Sequence, residues 1–334
     1  MGEVLGFDGE SFDPCRVEIL RLEVLARIEY MIEGMVTNDP IKVFIKQEPH
    51  KISKLKDGRL RLISAVSIID TMVDRMLFQR LFKAVVAAPM ETPIAIGWTP
   101  LGSGAAFLKS RFPEATFDTD KKHWDWTFPL WLLEDCYSSL MQVMDAPGWW
   151  NRVAALRFIS LYVKARFSFP DGTQVAQRSP GIQKSGCYLT LLLNSMGQWL
   201  LHEHAQIKLG VKVPYVCFGD DGTQRSTEFD GRFVDFYESL GFSVEAAVHK
   251  DIEFCGFHIY SGSRFLPAYR DKHVFLLEHL TTDREVCVQT LQSYQYIYWF
   301  DKDFLVFLRS IAKWKGLPEA IVSDDALGKV VLGR

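Results

Sequence analysis

The segment Tyr215-Val216-Cys217-Phe218-Gly219-Asp220-Asp221-Gly222 constrains this chain more than any other. Val213 to Phe218 is apolar enough for a buried strand, Gly219 to Gly222 is turn chemistry, and the chain then returns as a second strand. Two adjacent carboxylates are thereby carried to the tip of a hydrophobic hairpin. Like charges so close repel, and a fold rarely holds them together without a cation. Hard carboxylate oxygens suit Mg²⁺ or Mn²⁺. Asp and Gly are also ordinary turn residues, and for an isolated pair a β-turn is the simpler explanation.

A second acidic element shifts that balance. Phe117-Asp118-Thr119-Asp120-Lys121-Lys122-His123-Trp124-Asp125 places Asp120 near the end of an apolar strand beginning at Ala115, with Asp125 just beyond it. Asp120 beside Asp220 and Asp221 gives three carboxylates able to hold two metal ions ~4 Å apart, the arrangement that activates a hydroxyl and stabilises a leaving pyrophosphate. Asp118 is an alternative ligand; strand alternation is expected to separate it from Asp120 and leave it a surface or structural carboxylate.

A third element is Ser185-Gly186-Cys187-Tyr188-Leu189-Thr190-Leu191-Leu192-Leu193-Asn194-Ser195. Ser185 and Gly186 offer a turn with backbone donors at the start of an apolar helix predicted from Gly186 to about Ile207. Thr190 and Asn194 share a helix face and form a polar stripe suited either to a sugar or to packing. A basic stretch lies upstream: residues 42 to 61 carry Lys42, Lys46, Lys51, Lys54, Lys56, Arg59 and Arg61 against Glu48 and Asp57. It can follow phosphates or be a solvated loop. The net charge of −3 does not by itself indicate a nucleic-acid partner.

Elsewhere the pattern predicts helices from Ser11–Pro14 to about Met35, from Ser67 to about Val86, over Phe128–Val143, 148–166 and about 230–240, and through most of the last 60 residues. Short strands are expected at Val43–Ile45, Leu60–Ile63, 243–247, 253–255 and 257–260, with a hairpin around Pro170-Asp171-Gly172. The order implies an α+β domain with an antiparallel sheet backed by helices. His202 and His204 point apart on a helix, which favours structure over metal binding. Trp124, Trp126, Trp149 and Trp150 are expected to pack in the core. Six cysteines without a CxxC pair argue against a zinc ribbon or disulfide framework. No apolar run reaches membrane-spanning length, no signal-peptide pattern is present, and Met1-Gly2 reads as a plain initiator because Gly6 stands where a myristoylation motif wants Ser or Thr.

The three acidic and polar elements resemble motifs A, B and C of positive-strand RNA virus RNA-dependent RNA polymerases, in the right order. Asp120 and Asp125 resemble motif A, Ser185 to Ser195 motif B, and Gly219-Asp220-Asp221 motif C. The strings Phe44-Ile45-Lys46-Gln47-Glu48-Pro49-His50-Lys51 and Pro180 to Gly186 are similar to the sobemovirus, polerovirus and barnavirus group, and the likeness runs from about residue 42 to 260.

That resemblance implies a right-hand polymerase with fingers, palm and a small, mainly helical thumb. It assigns 1–114 to fingers with an N-terminal helix and the basic motif F loop, 115–147 to palm, 148–180 to a fingers insertion, 181–260 to palm with motifs B to E, and 261–334 to thumb. Asp120, Asp220 and Asp221 would hold two Mg²⁺ or Mn²⁺ ions. Asp125 and Asn194 would recognise ribose hydroxyls, supported by Ser185, Gly186 and Thr190. Lys46 and Arg61 would contact the triphosphate with Glu48 bracing them, and Lys51, Lys54 and Arg59 would touch the same phosphates or line the nucleotide path. Lys250 is the candidate general acid of motif D; His249 competes for the role, and a solvated surface lysine is the plain alternative. Phe254 to Ile259 resembles the motif E hairpin. The implied partners are RNA template and product strand, NTPs and other viral replication proteins, in the host-cell cytoplasm and without a direct membrane span. A reverse transcriptase and a catalytically silent RNA-binding subunit on the same fold are the rival expectations.

Overall fold

The computed structural model describes residues 2–50 and 52–333, so Lys51 lies outside the described residues. The chain divides into two compact units that alternate along the sequence: Met1–Ala88 with Lys122–Leu201, and Pro89–Lys121 with His202–Arg334.

In the first unit, Asp13 caps the helix Pro14–Ile32 by accepting from the backbone N–H of Cys15 and Arg16, with Pro14 in the first turn where its missing N–H costs nothing. Val24, Ile28 and Met31 form its buried stripe. The helix Ile68–Ala87 is capped by Ser67, and its buried Asp70 and Asp74 lie one turn apart. They meet two arginines. Arg157, from the buried side of the helix Gly148–Tyr162, grips Asp74 through Nε (2.6 Å) and Nη2 (3.1 Å). Arg27 reaches Asp70 at 2.7 Å and Asp39 at 3.1 Å. Removing one partner of such a buried pair strands the other charge, typically at about 3–5 kcal/mol. The sheet of this unit runs in the order Leu62–Ala65, Ile41–Ile45, Arg166–Ser168, Gln174–Ala176. Its middle pair is parallel, matching Ile41 with Phe167, and its outer pairs are antiparallel.

The second unit is built around an antiparallel sheet in the order Tyr215–Phe218, Asp221–Arg225, Thr116–Lys121, Val244–His249. Val216 of the first of these strands packs with Phe112, Ile252, Phe254, Ile259 and Phe265 in one apolar cluster. Ile252–Phe254, Phe257–Ile259 and Phe265–Pro267 form a second antiparallel sheet. The C-terminal helices Arg284–Ile297 and Lys302–Trp314, capped by Asp283 and Asp301, enclose Leu291, Tyr298, Phe304 and Leu308.

The elements follow the expected order, with informative differences. The helix expected from Gly186 begins at Thr190, because Gly186 is held in a parallel bridge to Ala65 and cannot join a helical turn. The strand at Phe265–Pro267 was not expected; it is three residues long and contains a proline at its end. Trp124 and Trp150 are buried, but Trp126 and Trp149 are about half exposed (49% and 50%), which corrects the expectation that all four pack inside. Helical positions one or two apart point to different sides, which turns one tryptophan of each pair outwards.

Gly222 is a point of close approach: a Cβ there would run into the hydroxyl of Tyr215 on the paired strand. Gly222→Ala is therefore expected to lower stability by about 1–3 kcal/mol. Gly231→Ala, on the helix Asp230–Ser239 where an added methyl meets nothing within 4 Å, should be neutral or stabilising. Denaturant midpoints of the two variants check this pair.

Candidate active site

The central sheet of the second unit carries its acids to one edge. Phe218 pairs with Asp221, so Gly219 and Asp220 form a two-residue loop at the hairpin tip. The neighbouring strand sets Asp118 opposite Thr223 on one side and Ala247 on the other, and pairs Asp120 with Glu245. The result is an open cleft of about 550 Å³ lined by six acidic residues: Asp118, Asp120, Asp220, Asp221, Glu245 and Glu253. His249, Cys255 and Tyr269 complete much of its wall.

Asp118 and Asp120 thus share the cleft. The expectation that alternation separates them is corrected by the strand's period of two, which returns residues i and i+2 to the same face. Glu245 and Glu253 were missed as wall residues. The former had a readable signal, since Glu245, Ala247 and His249 alternate along Val244–His249 on the face that meets Asp120 and Asp118.

Crowding is visible in the protonation behaviour. Burial pushes the Asp118 carboxyl up to about 8, with Glu253 and Asp221 adding to the shift. Asp221 opens onto the cleft, yet desolvation by its surroundings, reinforced by Asp220, Asp120 and Glu253, raises it to about 6. One Asp118 oxygen is buried without a hydrogen-bond partner, and the other lies 3.6 Å from His249 Nε2. Among the described residues no group of three or more His, Cys, Asp or Glu side chains is drawn together as a metal cage. The donor set nevertheless fits hard divalent cations: it is all oxygen, dense in negative charge, and its desolvated carboxylates would regain their ionised form beside a cation.

The hairpin is backed by aromatic stacking. His202 lies 4.0 Å from the Tyr215 ring centre and 5.2 Å from that of Phe233, nearly parallel to both. Its Nε2 bonds the Val213 carbonyl (3.2 Å). His204 points elsewhere, edge-on to Phe236. The ammonium of buried Lys121 sits 4.2 Å from the Tyr237 ring centre, and burial pushes it down to about 7. Lys250 is exposed on the bend after Val244–His249; the cleft wall takes in its neighbour His249 and not Lys250.

The first unit holds the other candidate residues. Asn194 Nδ2 donates to Asp125 Oδ1 (2.8 Å), while Asn194 Oδ1 is buried with no hydrogen-bond partner. Ser185 Oγ accepts from the Ser64 N–H (3.1 Å), and the Thr190 hydroxyl donates to the Lys184 carbonyl. A Cβ on Gly186 would lie 2.7 Å from the Ser64 carbonyl oxygen, so only glycine allows that approach. In the basic segment Glu48 stands between two cations, 2.9 Å from Lys46 Nζ and 3.1 Å from Arg61 Nη1. Arg59 is turned to Asp57 (2.6 Å), and Lys54 lies exposed on the short helix Ile52–Lys56.

A family model described as viral RNA-dependent RNA polymerase matches residues 20–298. The chain belongs to that family. Within it the chain is similar to protein P1-P2 of Potato leafroll virus, 31% identical in an alignment 278 residues long that covers 77% of this chain and 25% of the relative. Protein P1-P2 of Pea enation mosaic virus-1 is 28% identical over 317 residues, 86% of this chain and 26% of the relative. Replicase polyprotein P2AB of Southern bean mosaic virus is 33% identical over 197 residues, 56% of this chain and 19% of the relative. These relatives place the chain with the polymerases of positive-strand RNA viruses, and it spans about a quarter of the length of the P1-P2 proteins it matches.

The buried His202 makes the hairpin sensitive to acid. Desolvation holds its imidazole down to about 4, against 6.5 in an open chain. The unfolded chain then binds the extra proton first, so stability is fully present above about pH 6.5 and is lost as pH falls towards 4. His202→Phe, which keeps a ring between Tyr215 and Phe233, is expected to flatten that loss. Urea midpoints at pH 4.5 and pH 7 for both proteins measure it, and an equal drop in the variant would contradict the assignment.

Proposed function

We propose that this chain carries out template-directed RNA synthesis, joining NTPs to an RNA 3′-hydroxyl and releasing pyrophosphate. The observation that carries the proposal is the six-acid cleft, in which Asp120 from one strand meets Asp220 and Asp221 from a hairpin tip within a chain of the polymerase family. Two Mg²⁺ or Mn²⁺ ions held by Asp120, Asp220 and Asp221 would activate the attacking hydroxyl and neutralise charge on the leaving group. Asp125 and Asn194 bind the ribose of the incoming nucleotide: Asn194 is oriented by its amide bond to Asp125, and its spare buried oxygen is an acceptor for a hydroxyl proton. Ser185, Gly186 and Thr190 hold the turn beside them. Lys46 and Arg61, braced by Glu48, take the triphosphate, and Lys51, Lys54 and Arg59 serve its approach. Proton delivery to pyrophosphate falls to Lys250 after movement of its bend, with His249 as the rival already at the cleft.

In this reading residues 1–114 and 148–180 are fingers, 115–147 and 181–260 palm, and 261–334 a small thumb. The substrates are an RNA template and NTPs, and the setting is a cytoplasmic replication complex with other viral proteins. Among the described residues no helix is long and apolar enough to cross a membrane.

Primer extension with Mg²⁺ or Mn²⁺ tests the proposal. Asp220→Ala should reduce nucleotide addition by at least about 10²-fold with the melting temperature little changed. Near-normal extension by the folded variant removes Asp220 from catalysis, and an inactive parent favours a silent RNA-binding subunit. Asn194→Ala should lower the preference for NTP over dNTP by at least about tenfold, because the ribose hydroxyl loses its acceptor. Incorporation of each NTP and its deoxy counterpart, beside a melting curve, measures that; an unchanged sugar preference would make Asn194 a packing residue.

A further inference from the structure

Lys184 is fully buried, yet its ammonium is met by neutral groups: Gln177 Oε1 at 2.6 Å, the Ile182 carbonyl at 2.7 Å and the Gly181 carbonyl at 3.3 Å. The rings of Tyr162 and Phe167 lie 5.4 and 5.6 Å away. Burying a charge is costly, and a long flexible lysine is an expensive way to fill a core, so its presence calls for a role that a hydrocarbon would not serve. Gln177 works on the same turn from the other side, its Nε2 donating to the carbonyls of Tyr162, Ser179 and Gly181. Ile182, whose carbonyl Lys184 holds, has φ +62°, a conformation a β-branched residue adopts only when its surroundings enforce it.

The gathered turn lies in a closed ring of hydrogen bonds. The Gln183 N–H donates to the Asp125 carbonyl (2.7 Å), and the Asp125 side chain accepts from Asn194. Asn194 is one helical turn from Thr190, whose hydroxyl returns to the Lys184 carbonyl. The next residues are fixed outside the ring: Ser185 and Gly186 on Ser64, and Cys187 Sγ 3.6 Å from Asp74, the carboxylate held by Arg157.

We propose that Lys184 is a positioning residue for ribose recognition, its buried ammonium gathering the 177–182 turn so that Asp125 and Asn194 are held at the spacing that selects an NTP over a dNTP. The proposal rests on the ribose-binding role given above to Asp125 and Asn194. Gln177 is the second half of the same clamp.

The test compares Lys184→Met, Gln177→Ala, the double variant and Asn194→Ala in single-nucleotide incorporation on a primed RNA template, with kcat and KM for each NTP and dNTP and a melting curve. Both single variants should lose at least about tenfold in NTP over dNTP preference, mainly through a higher KM for the NTP. The double variant should be no worse than the more affected single, as for two groups acting through one turn. If Lys184→Met does not fold, Gln177→Ala and Gln177→Glu carry the test: both remove the Nε2 donor to the Tyr162, Ser179 and Gly181 carbonyls, so both should lose selectivity, although glutamate keeps an acceptor for the ammonium. Melting temperatures that fall while sugar preference stays at the parent value overturn the proposal and leave Lys184 a structural residue. If Asn194→Ala relaxes selectivity and the clamp variants do not, this inference alone fails. If none of them does, the ribose reading fails and the clamp proposal with it.

Discussion

Repulsion among six carboxylates that line one cleft is the constraint on which the second unit depends. Left to themselves these groups would spread apart or take up protons, and the raised Asp118 and Asp221 show the second tendency already present. The sheet resists the first. Asp118 is in register with strands on both sides and Asp120 with Glu245 on one, and Asp220 and Asp221 are tied to a hairpin whose outer strand is buried. Behind it, the stacked His202, Tyr215 and Phe233 and the close fit of Gly222 against Tyr215 leave little room to yield. The fold thus holds these carboxylates close together on a rigid frame, a concentration of negative charge that is set by the backbone.

The first unit meets the opposite problem. Its candidate residues sit on a turn, a short helix and the first turns of a long helix, elements with few ladder bonds of their own. Rigidity there comes from side chains that bond to backbone: Lys184, Gln177, Thr190 and Ser185 each hold a carbonyl or N–H that regular structure would otherwise satisfy. The buried Arg157–Asp74 pair supplies a stiff floor beneath Cys187.

Much of this was readable from residues alone. The hairpin with Asp220 and Asp221, the strand carrying Asp120, and the Thr190–Asn194 face follow from local pattern, because period and turn chemistry are local properties. Glu48 between Lys46 and Arg61 follows from charge complementarity over a short stretch. What stayed hidden depends on pairing between distant segments. Glu245 becomes a cleft residue only through its register with Asp120, and Glu253 only through the second sheet. Lys184 reads as one more surface lysine until Tyr162 and Phe167 are seen to close over it. Asp118 is a different case: the two-residue period was available, and its shared face with Asp120 follows from that period.

The alternation of the two units along the chain bears on how the protein is made. The first sheet joins Ile41–Ile45 to Arg166–Ser168, and the first unit is interrupted by Pro89–Lys121, which belongs to the second. A ribosome delivers residues in order, so the early strands emerge with their edge unpaired and wait for partners more than a hundred residues downstream. Long-range pairing of this kind is slow because loop closure precedes the contacts that reward it. Until Arg166–Ser168 arrives, the exposed edge of Ile41–Ile45 is open to pairing with other chains. Lys42 lies within that strand and Lys46 just after it, charges of the kind that disfavour pairing at an open edge.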